Sequence, residues 1–194
     1  LYEKIHPSLP GRKRDRMEIL SELNRLGYEV GSGVMIGIPG QSYASLAEDI
    51  EAFRALDLDM IGVGPYILNP NTPLGSTGET GSRPHPDQVP NTESMTYKVV
   101  ALCRLVRPDA NIPSTTALAT LNKEQGRELG LQRGANVIMP NLTPPQYRVC
   151  YEIYPGKACV NETAELTNRN ITGCLAALGR TIARGPGSRP RPAQ

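Results

Sequence analysis

The sequence lacks tryptophan, has a single phenylalanine and contains only two histidines among its 194 residues. Aromatic rings can fill little of a core, so the core must be built from Leu, Ile, Val, Met and Tyr. None of the four cysteines forms a CxxC pair, so their spacing predicts neither a zinc site nor a dithiol redox motif, and no metal ligand is predicted. These cysteines are typical of the reduced thiols of a cytoplasmic protein.

The charge and hydropathy of the sequence argue against nucleic-acid-binding and membrane-spanning proteins. The net charge is +2 with both signs interspersed, which predicts no binding surface for nucleic acid or membrane. No apolar run approaches the roughly 18 residues of a membrane span. Neither GxxxxGK[ST] nor a helix-opening GxGxxG is present, so nucleoside triphosphate binding is not expected. With no Ser-His-Asp arrangement in view, no catalytic residue is assigned, and the chemistry is expected to belong to a cofactor.

Four short apolar runs end at glycines or polar residues. They lie within Gly33–Gln41, Asp59–Pro65, 111–116 and 136–141. Buried parallel strands have this pattern, and their carboxyl ends open into loops at one edge of the sheet. The sequence therefore predicts four parallel strands with a single ligand-facing end.

Helical apolar spacing separates these runs. The predicted helices are Arg12–Leu26, Ser42–Leu56 with Ser45 and Glu48 as a capping box, Thr92–Val106, Asn122–Leu131 with Gln125 near its start, Thr143–Tyr154 and Ile171–Ala183. Alternating strands and helices predict an α/β fold, and one helix for each strand favours a partial (β/α)8 TIM barrel over a doubly wound sheet.

Four strands cannot close a barrel of roughly 250 residues. We therefore expect residues 1–184 to be the C-terminal part of a barrel whose N-terminal half is missing. Residues 185–194, rich in proline and arginine, are predicted to be a disordered basic tail. The long Pro- and Gly-rich segment Asn69–Asn91 is predicted to be a functional loop over the strand ends.

Several side chains at the strand exits have two interpretations. Thr115 and Thr116 could donate hydrogen bonds to an anion or simply cap the next turn. Met60 and Met139 could contact a sulfur-containing or adenine-bearing ligand, although a lone methionine more often fills a core.

Three tyrosines follow helical spacing. Tyr147, Tyr151 and Tyr154 lie at i, i+4 and i+7, so they would share one helical face. Such a stripe usually packs, yet buried phenols need hydrogen-bond partners and could look into a polar cavity.

Longer blocks of the sequence resemble a known family, the HydE-type [FeFe]-hydrogenase maturation radical SAM proteins of the biotin synthase-like superfamily. The blocks that carry the resemblance are Leu23–Gly33 with Gly37–Gln41, Asp59–Pro65 with Asn69–Leu74, Ile112–Ala117, Gly134–Pro144 and Tyr151–Cys159. Biotin synthase and methylornithine synthase are relatives with looser versions of these blocks.

The resemblance implies a radical SAM barrel in which a [4Fe-4S] cluster reduces S-adenosylmethionine to a 5′-deoxyadenosyl radical. It implies assembly of the di-iron subcluster of the hydrogenase H-cluster, with an iron–cysteine carbonyl and cyanide complex as substrate and other maturation proteins as partners. It assigns cofactor contacts to Arg16, Met60, Met139, Tyr151 and Tyr154, with Arg16 holding the S-adenosylmethionine carboxylate, and substrate contacts to Pro113, Thr115 and Thr116.

Two departures from the family pattern limit this expectation. The CxxxCxxC loop that ligates the cluster is absent, and of the optional second cluster only Cys159 matches, since Cys174 is displaced. The chain alone is therefore expected to hold no cluster and to be inactive. The alternatives are a biotin synthase-like or methylornithine synthase-like enzyme, or a non-catalytic ligand-binding or scaffold protein.

Overall fold

The computed structural model describes residues 2–6, 11, 15–76, 86–151 and 153–189. Two strands lie in this part of the chain, β1 (Gly31–Ile36) and β2 (Met60–Pro65). The helices are α1 (Tyr2–Ile5), α2 (Arg16–Arg25), α3 (Tyr43–Ala55), α4 (Pro73–Ser76), α5 (Glu93–Val106), α6 (Thr116–Leu121), α7 (Gly126–Gln132), α8 (Pro145–Arg148), followed by a 3-10 turn at Val149–Tyr151, and α9 (Ala164–Ala177).

The two strands form a parallel sheet that two further segments extend. The register of β1 and β2 runs from Gly31 opposite Met60 to Ile36 opposite Pro65. Single parallel bridges then join Met60 to Asn111, and Pro113 to Val137. The four predicted strand segments thus lie side by side in chain order, and the predicted α/β fold with parallel strands is confirmed.

The core lies between the sheet and the helices that follow its strands. Ile36, Ile61 and Val63 are fully buried on one side of the sheet. From the helices, Phe53 of α3 and Val99 of α5 join the same cluster. The opposite side of the sheet contributes little to this core.

Two helices begin where their capping residues predict. Thr92 caps α5, because its hydroxyl accepts a hydrogen bond from the Met95 N–H. α3 begins after Ser42, but the predicted capping box at Ser45 and Glu48 is wrong. Ser42 and Ser45 form the box instead, each hydroxyl accepting from the other residue's N–H at 3.1 Å.

Other helices differ from the prediction for local reasons. α9 begins seven residues earlier than expected, because the Thr163 hydroxyl accepts a hydrogen bond from the Leu166 N–H and caps it there. It ends before Gly179, whose φ of 65° stops the helix. Helix α6, capped by Thr115, was not predicted at all.

Part of the predicted features lies outside the described residues: 12–14 of the first predicted helix, 77–85 of the Asn69–Asn91 loop and 190–194 of the tail. None of the helices in the described part of the chain is long and apolar enough to cross a membrane.

Candidate functional site

One face of the sheet is lined by glycines, and its centre at Gly62 is not covered by the helices of the described part of the chain. Along β2, burial alternates, with Ile61 and Val63 facing the helices and Met60, Gly62 and Gly64 on the other side. We call this second side the glycine face. A side chain at Gly62 would meet nothing closer than the Ser32 carbonyl oxygen at 3.8 Å. The face therefore has room at its centre for a ligand to approach the backbone.

At the carboxyl ends of the strands, four residues of the glycine face lie level with one another. Met35 pairs with Gly64 in the sheet register, and a Cβ built on Gly64 would lie 3.2 Å from the Thr115 hydroxyl oxygen. If the parallel pairing of the single bridge between Pro113 and Val137 continues for two residues, Met139 lies level with Thr115. We call the set Met35, Gly64, Thr115 and Met139 the upper row. The two methionines are 48% and 50% exposed, so the row presents two thioethers around a glycine and a hydroxyl.

The threonine pair has a structural role as well. Thr115 caps α6, its hydroxyl accepting from the Leu118 N–H at 3.5 Å, and Thr116 is the first helical residue. Accepting at the cap does not use the hydroxyl's own proton, which could donate to a carboxylate in front of the row. The capping and the anion-binding interpretations are thus compatible for Thr115.

Met60 and Pro113 share the glycine face with Thr115 but lie at other levels. Met60 is the first residue of β2, opposite Gly31 and bridged to Asn111. Gly64 lies four positions further along β2, at a distance of roughly 13 Å along a strand. Pro113 lies between the two levels and is buried. Met60 therefore belongs to the floor of the face, and Thr115 to its upper row.

Tyr151 and Tyr154 do not share a helical face, because the predicted helix ends early. α8 stops at Arg148, and after the 3-10 turn the Tyr151 carbonyl accepts from the Ile153 N–H and from Lys157 Nζ rather than from a following helical turn. Tyr151 is 61% exposed. Tyr154 is half-buried beside Thr120 of α6, and burial raises the pKa of its phenol.

The loop after β2 reaches this tyrosine segment. The Asn69 side-chain amide donates to the Ile153 carbonyl at 2.9 Å. Thr120 also accepts from the Ala158 N–H at 3.0 Å. Hence the β2 exit, α6 and the segment around Tyr154 meet on the side of the sheet where the strands end.

Arg16 is the first residue of α2 and is exposed. The far end of α2 is held near the start of β2, since Asn24 donates to the Leu56 carbonyl at 3.1 Å. A helix of ten residues is roughly 15 Å long. Arg16 therefore lies at the end of α2 away from the strand starts.

Sequence reasoning missed Tyr66, which directly follows β2. Its N–H donates to the Ile36 carbonyl at 2.8 Å, which fixes the residue at the carboxyl end of the strands. Its hydroxyl is buried without a hydrogen-bond partner in the described part of the chain, and burial raises its pKa. A buried hydroxyl without a partner is a group that a bound ligand can satisfy. The available signal was its position immediately after the Gly64–Pro65 exit.

Comparison with known proteins bears on this site. No family model matches the chain. Over 191 residues, or 98% of this chain, it is 40% identical to the [FeFe] hydrogenase maturase subunit HydE of Thermotoga maritima. The resemblance to HydE is confirmed. The chain spans about half the length of this curated relative, 51% of it.

The described residues of this HydE-like chain offer no ligands for the expected [4Fe-4S] cluster but suit an organic cofactor such as S-adenosylmethionine. In the parts of the chain that the structure describes, no group of three or more His, Cys, Asp or Glu side chains could hold a metal ion. Cys159 instead lies against Arg127, whose Nη2 is 3.4 Å from its sulfur. The glycine face and the unpartnered Tyr66 hydroxyl do suit an organic ligand with polar groups.

Arg148 is a second residue that sequence reasoning missed, and it holds together the segments on either side of Tyr151 and Tyr154. Arg148 of α8 is buried, and its guanidinium donates to backbone carbonyls on both sides of the tyrosine segment. The acceptors are the carbonyls of Asn141, Thr143, Cys159, Val160 and Glu162. This single side chain holds the HydE-like segments 141–143 and 159–162 together. Nothing in its sequence position distinguishes it from an exposed arginine.

Proposed function

We propose that this chain is the C-terminal part of a HydE-type radical SAM enzyme, folded as part of a (β/α)8 barrel and acting in assembly of the di-iron subcluster of [FeFe]-hydrogenase. The observation that carries the proposal is the upper row of the glycine face. It places thioethers and a hydroxyl at the carboxyl ends of parallel strands, next to the open centre of the face at Gly62. Barrel enzymes bind their ligands at such strand ends.

In this proposal S-adenosylmethionine and a [4Fe-4S] cluster ligated outside this chain supply the radical chemistry. The chain's own residues bind and orient. Met60, Met139, Tyr151 and Tyr154 line the cofactor side, and Arg16 binds the cofactor's carboxylate. Thr115 and Thr116, next to Pro113, donate hydrogen bonds to the carboxylate of the substrate, an iron–cysteine complex with carbonyl and cyanide ligands.

The glycine face suits a bulky substrate. Gly62 carries no side chain at the centre of the face, where a Cβ would meet nothing closer than the Ser32 oxygen at 3.8 Å. Met35 and Met139 border the space with flexible thioethers. A ligand in this space would be screened from water on the helix side by the fully buried Ile61 and Val63. We propose a cytoplasmic protein that hands its product to other hydrogenase maturation proteins.

The threonine assignment can be tested while the cap is preserved. In the full-length protein with its cluster reconstituted, Thr116→Val removes one donor, whereas Thr115→Ser keeps both the cap and the hydroxyl. Each lost polar partner should weaken substrate binding by about 1–3 kcal/mol, so Thr116→Val should bind roughly tenfold more weakly and Thr115→Ser nearly as the wild type. Equal affinity for all three proteins would exclude the Thr116 hydroxyl as a donor to the substrate.

The class of reaction is tested by incubating the reduced full-length protein with S-adenosylmethionine and measuring 5′-deoxyadenosine. Formation of this product supports a radical SAM enzyme. A full-length protein that neither binds a cluster nor cleaves S-adenosylmethionine would favour the scaffold alternative. Cleavage of S-adenosylmethionine without restoration of a hydrogenase would favour a biotin synthase-like or methylornithine synthase-like reaction.

A further inference from the structure

The described part of the tail, residues 185–189, ends in a buried ion cluster. The Arg189 side chain is 5% exposed and donates from all three guanidinium nitrogens. Its Nε lies 2.8 Å from Asp59 Oδ1, its Nη1 2.9 Å from Asp109 Oδ2, and its Nη2 2.9 Å from Asp57 Oδ2. Nη1 also donates to Asp57 Oδ1 at 3.1 Å, so Asp57 is held by two nitrogens of the fork.

The three aspartates come from loops that precede the strands. Asp57 and Asp59 lie between α3 and β2, and Asp109 lies just before the Asn111 segment. Asp59 also accepts from the N–H of Val30, the residue before β1, at 2.8 Å. This aspartate socket, defined by Asp57, Asp59 and Asp109, therefore lies where three neighbouring strand segments begin.

Arg189 supplies one of the two guanidinium groups that the described residues place against the three carboxylates of the aspartate socket. The second belongs to Arg107, 2.5 Å from Asp57 Oδ1 and 3.6 Å from Asp109 Oδ1. Loss of Arg189 would remove half of this described positive charge. Asp59, with a side chain only 3% exposed, would then lose its bond to Arg189. A buried carboxylate that loses a cationic partner is strongly destabilising.

On its way to the socket, the tail passes the floor of the glycine face. The Asn111 side-chain amide donates to the Gly187 carbonyl at 2.8 Å. Asn111 is bridged to Met60, the floor residue of that face. One residue, Ser188, separates Gly187 from Arg189, so the tail runs from the floor into the socket.

We propose that residues 185–189 are a strap that closes the strand-start end of the glycine face and is latched by Arg189 in the aspartate socket. The socket is a guanidinium-binding site whose ligand is the chain's own arginine. The strap's role as a floor rests on the proposed ligand face, whereas the latch does not depend on the enzyme's activity.

The latch is tested by chemical rescue in the full-length protein. Arg189→Ala should lower the melting temperature by roughly 5–10 °C, and methylguanidinium at millimolar concentrations should restore part of that loss. Arg184→Ala, at the exposed position directly before the strap, is the matched control and should neither lower the melting temperature nor respond to methylguanidinium. Sodium chloride at equal ionic strength should not rescue the variant. Equal melting temperatures for the two alanine variants, or no rescue by methylguanidinium, would overturn the latch.

Arg189→Lys keeps the positive charge but loses the planar guanidinium that bonds several carboxylates at once. This variant replaces Arg189→Ala in the test if the alanine variant does not fold. The attachment of the strap is tested by limited proteolysis with trypsin, with cleavage after residue 184 followed by peptide mass spectrometry. Cleavage there should be at least several-fold faster with Arg189→Lys than with Arg184→Lys, since both variants keep a trypsin site at position 184. Equal rates would overturn the strap. Neither readout requires S-adenosylmethionine, so failure of the strap and failure of the proposed function are distinguishable.

Discussion

Adding one methyl group to the sheet should destabilise the protein at one of two paired glycines and have little effect at the other. Gly33 and Gly62 face each other in the register of β1 and β2. A Cβ on Gly33 would lie 2.9 Å from both the Cα and the carbonyl carbon of Gly62 and still closer to its oxygen. Backbone atoms cannot rotate away, so Gly33→Ala must push the two central strands apart.

The magnitude follows from what the separation disrupts. Overpacking in a well-packed region costs about 1–3 kcal/mol, and each hydrogen bond lost from the sheet adds about 1 kcal/mol. We therefore expect Gly33→Ala to lower the free energy of unfolding by about 2–4 kcal/mol. Gly62→Ala meets only the Ser32 oxygen at 3.8 Å and should change it by no more than about 1 kcal/mol in either direction.

Equilibrium unfolding in urea, followed by circular dichroism, measures both variants under one set of conditions. The two proteins differ only in which strand carries the methyl group, so general effects of alanine in a strand cancel. Equal loss of stability in the two variants, or a stable Gly33→Ala protein, would refute the close strand approach on which the glycine face depends.

Three further outcomes are expected. Cys150 is exposed and should react with a thiol reagent at pH 8 within minutes. Cys103 is buried, and burial raises the pKa of its thiol to about 12, so it should react only after unfolding. Rapid labelling of Cys103 in the native protein would contradict the packing of α5. Arg148→Met should lower the free energy of unfolding by about 3 kcal/mol and speed the hydrogen exchange of residues 141–143 and 159–162. Unchanged exchange in these segments would show that the guanidinium does not hold them together. The hydrogen bond from Arg189 holds the pKa of the Asp57 carboxyl below its usual range. The ionised Asp57 therefore stabilises the fold above about pH 4, and this stabilisation is lost as the pH falls through the folded-state pKa. Asp57→Asn should make the free energy of unfolding, measured in urea, fall less steeply between about pH 5 and pH 2.5, and an unchanged pH dependence would exclude Asp57 as the source of the acid loss.

Local signals explain why much of the fold was predictable. The four strand segments are apolar runs closed by glycine or polar residues, and the structure aligns all four. Ser42 and Thr92 mark helix starts because their hydroxyls satisfy the first free N–H groups. α8 is shorter than its apolar spacing predicts, since the segment is organised by Arg148 and distant carbonyls rather than by its own helical face.

The candidate site shows where sequence information ends. Alternation along the strands places Met60, Thr115 and Met139 on one face, but only the register shows that Met60 lies at the floor. The tail has the composition of a disordered segment, and the burial of Arg189 depends on carboxylates 80 to 132 residues away in the sequence. Composition over a short window cannot contain such a long-range pairing.

The central claim is that the full-length protein containing this chain is a HydE-type maturase whose glycine face holds the ligand. Its most direct test is the hydrogenase activity of a host that makes an [FeFe]-hydrogenase but lacks its own HydE, after expression of the full-length protein. The account predicts that the wild-type protein restores activity and that a stable Gly62→Ile variant, with its side chain in the ligand space, does not. A full-length protein that folds, carries its cluster and cleaves S-adenosylmethionine, yet fails to restore hydrogenase activity, would contradict the account.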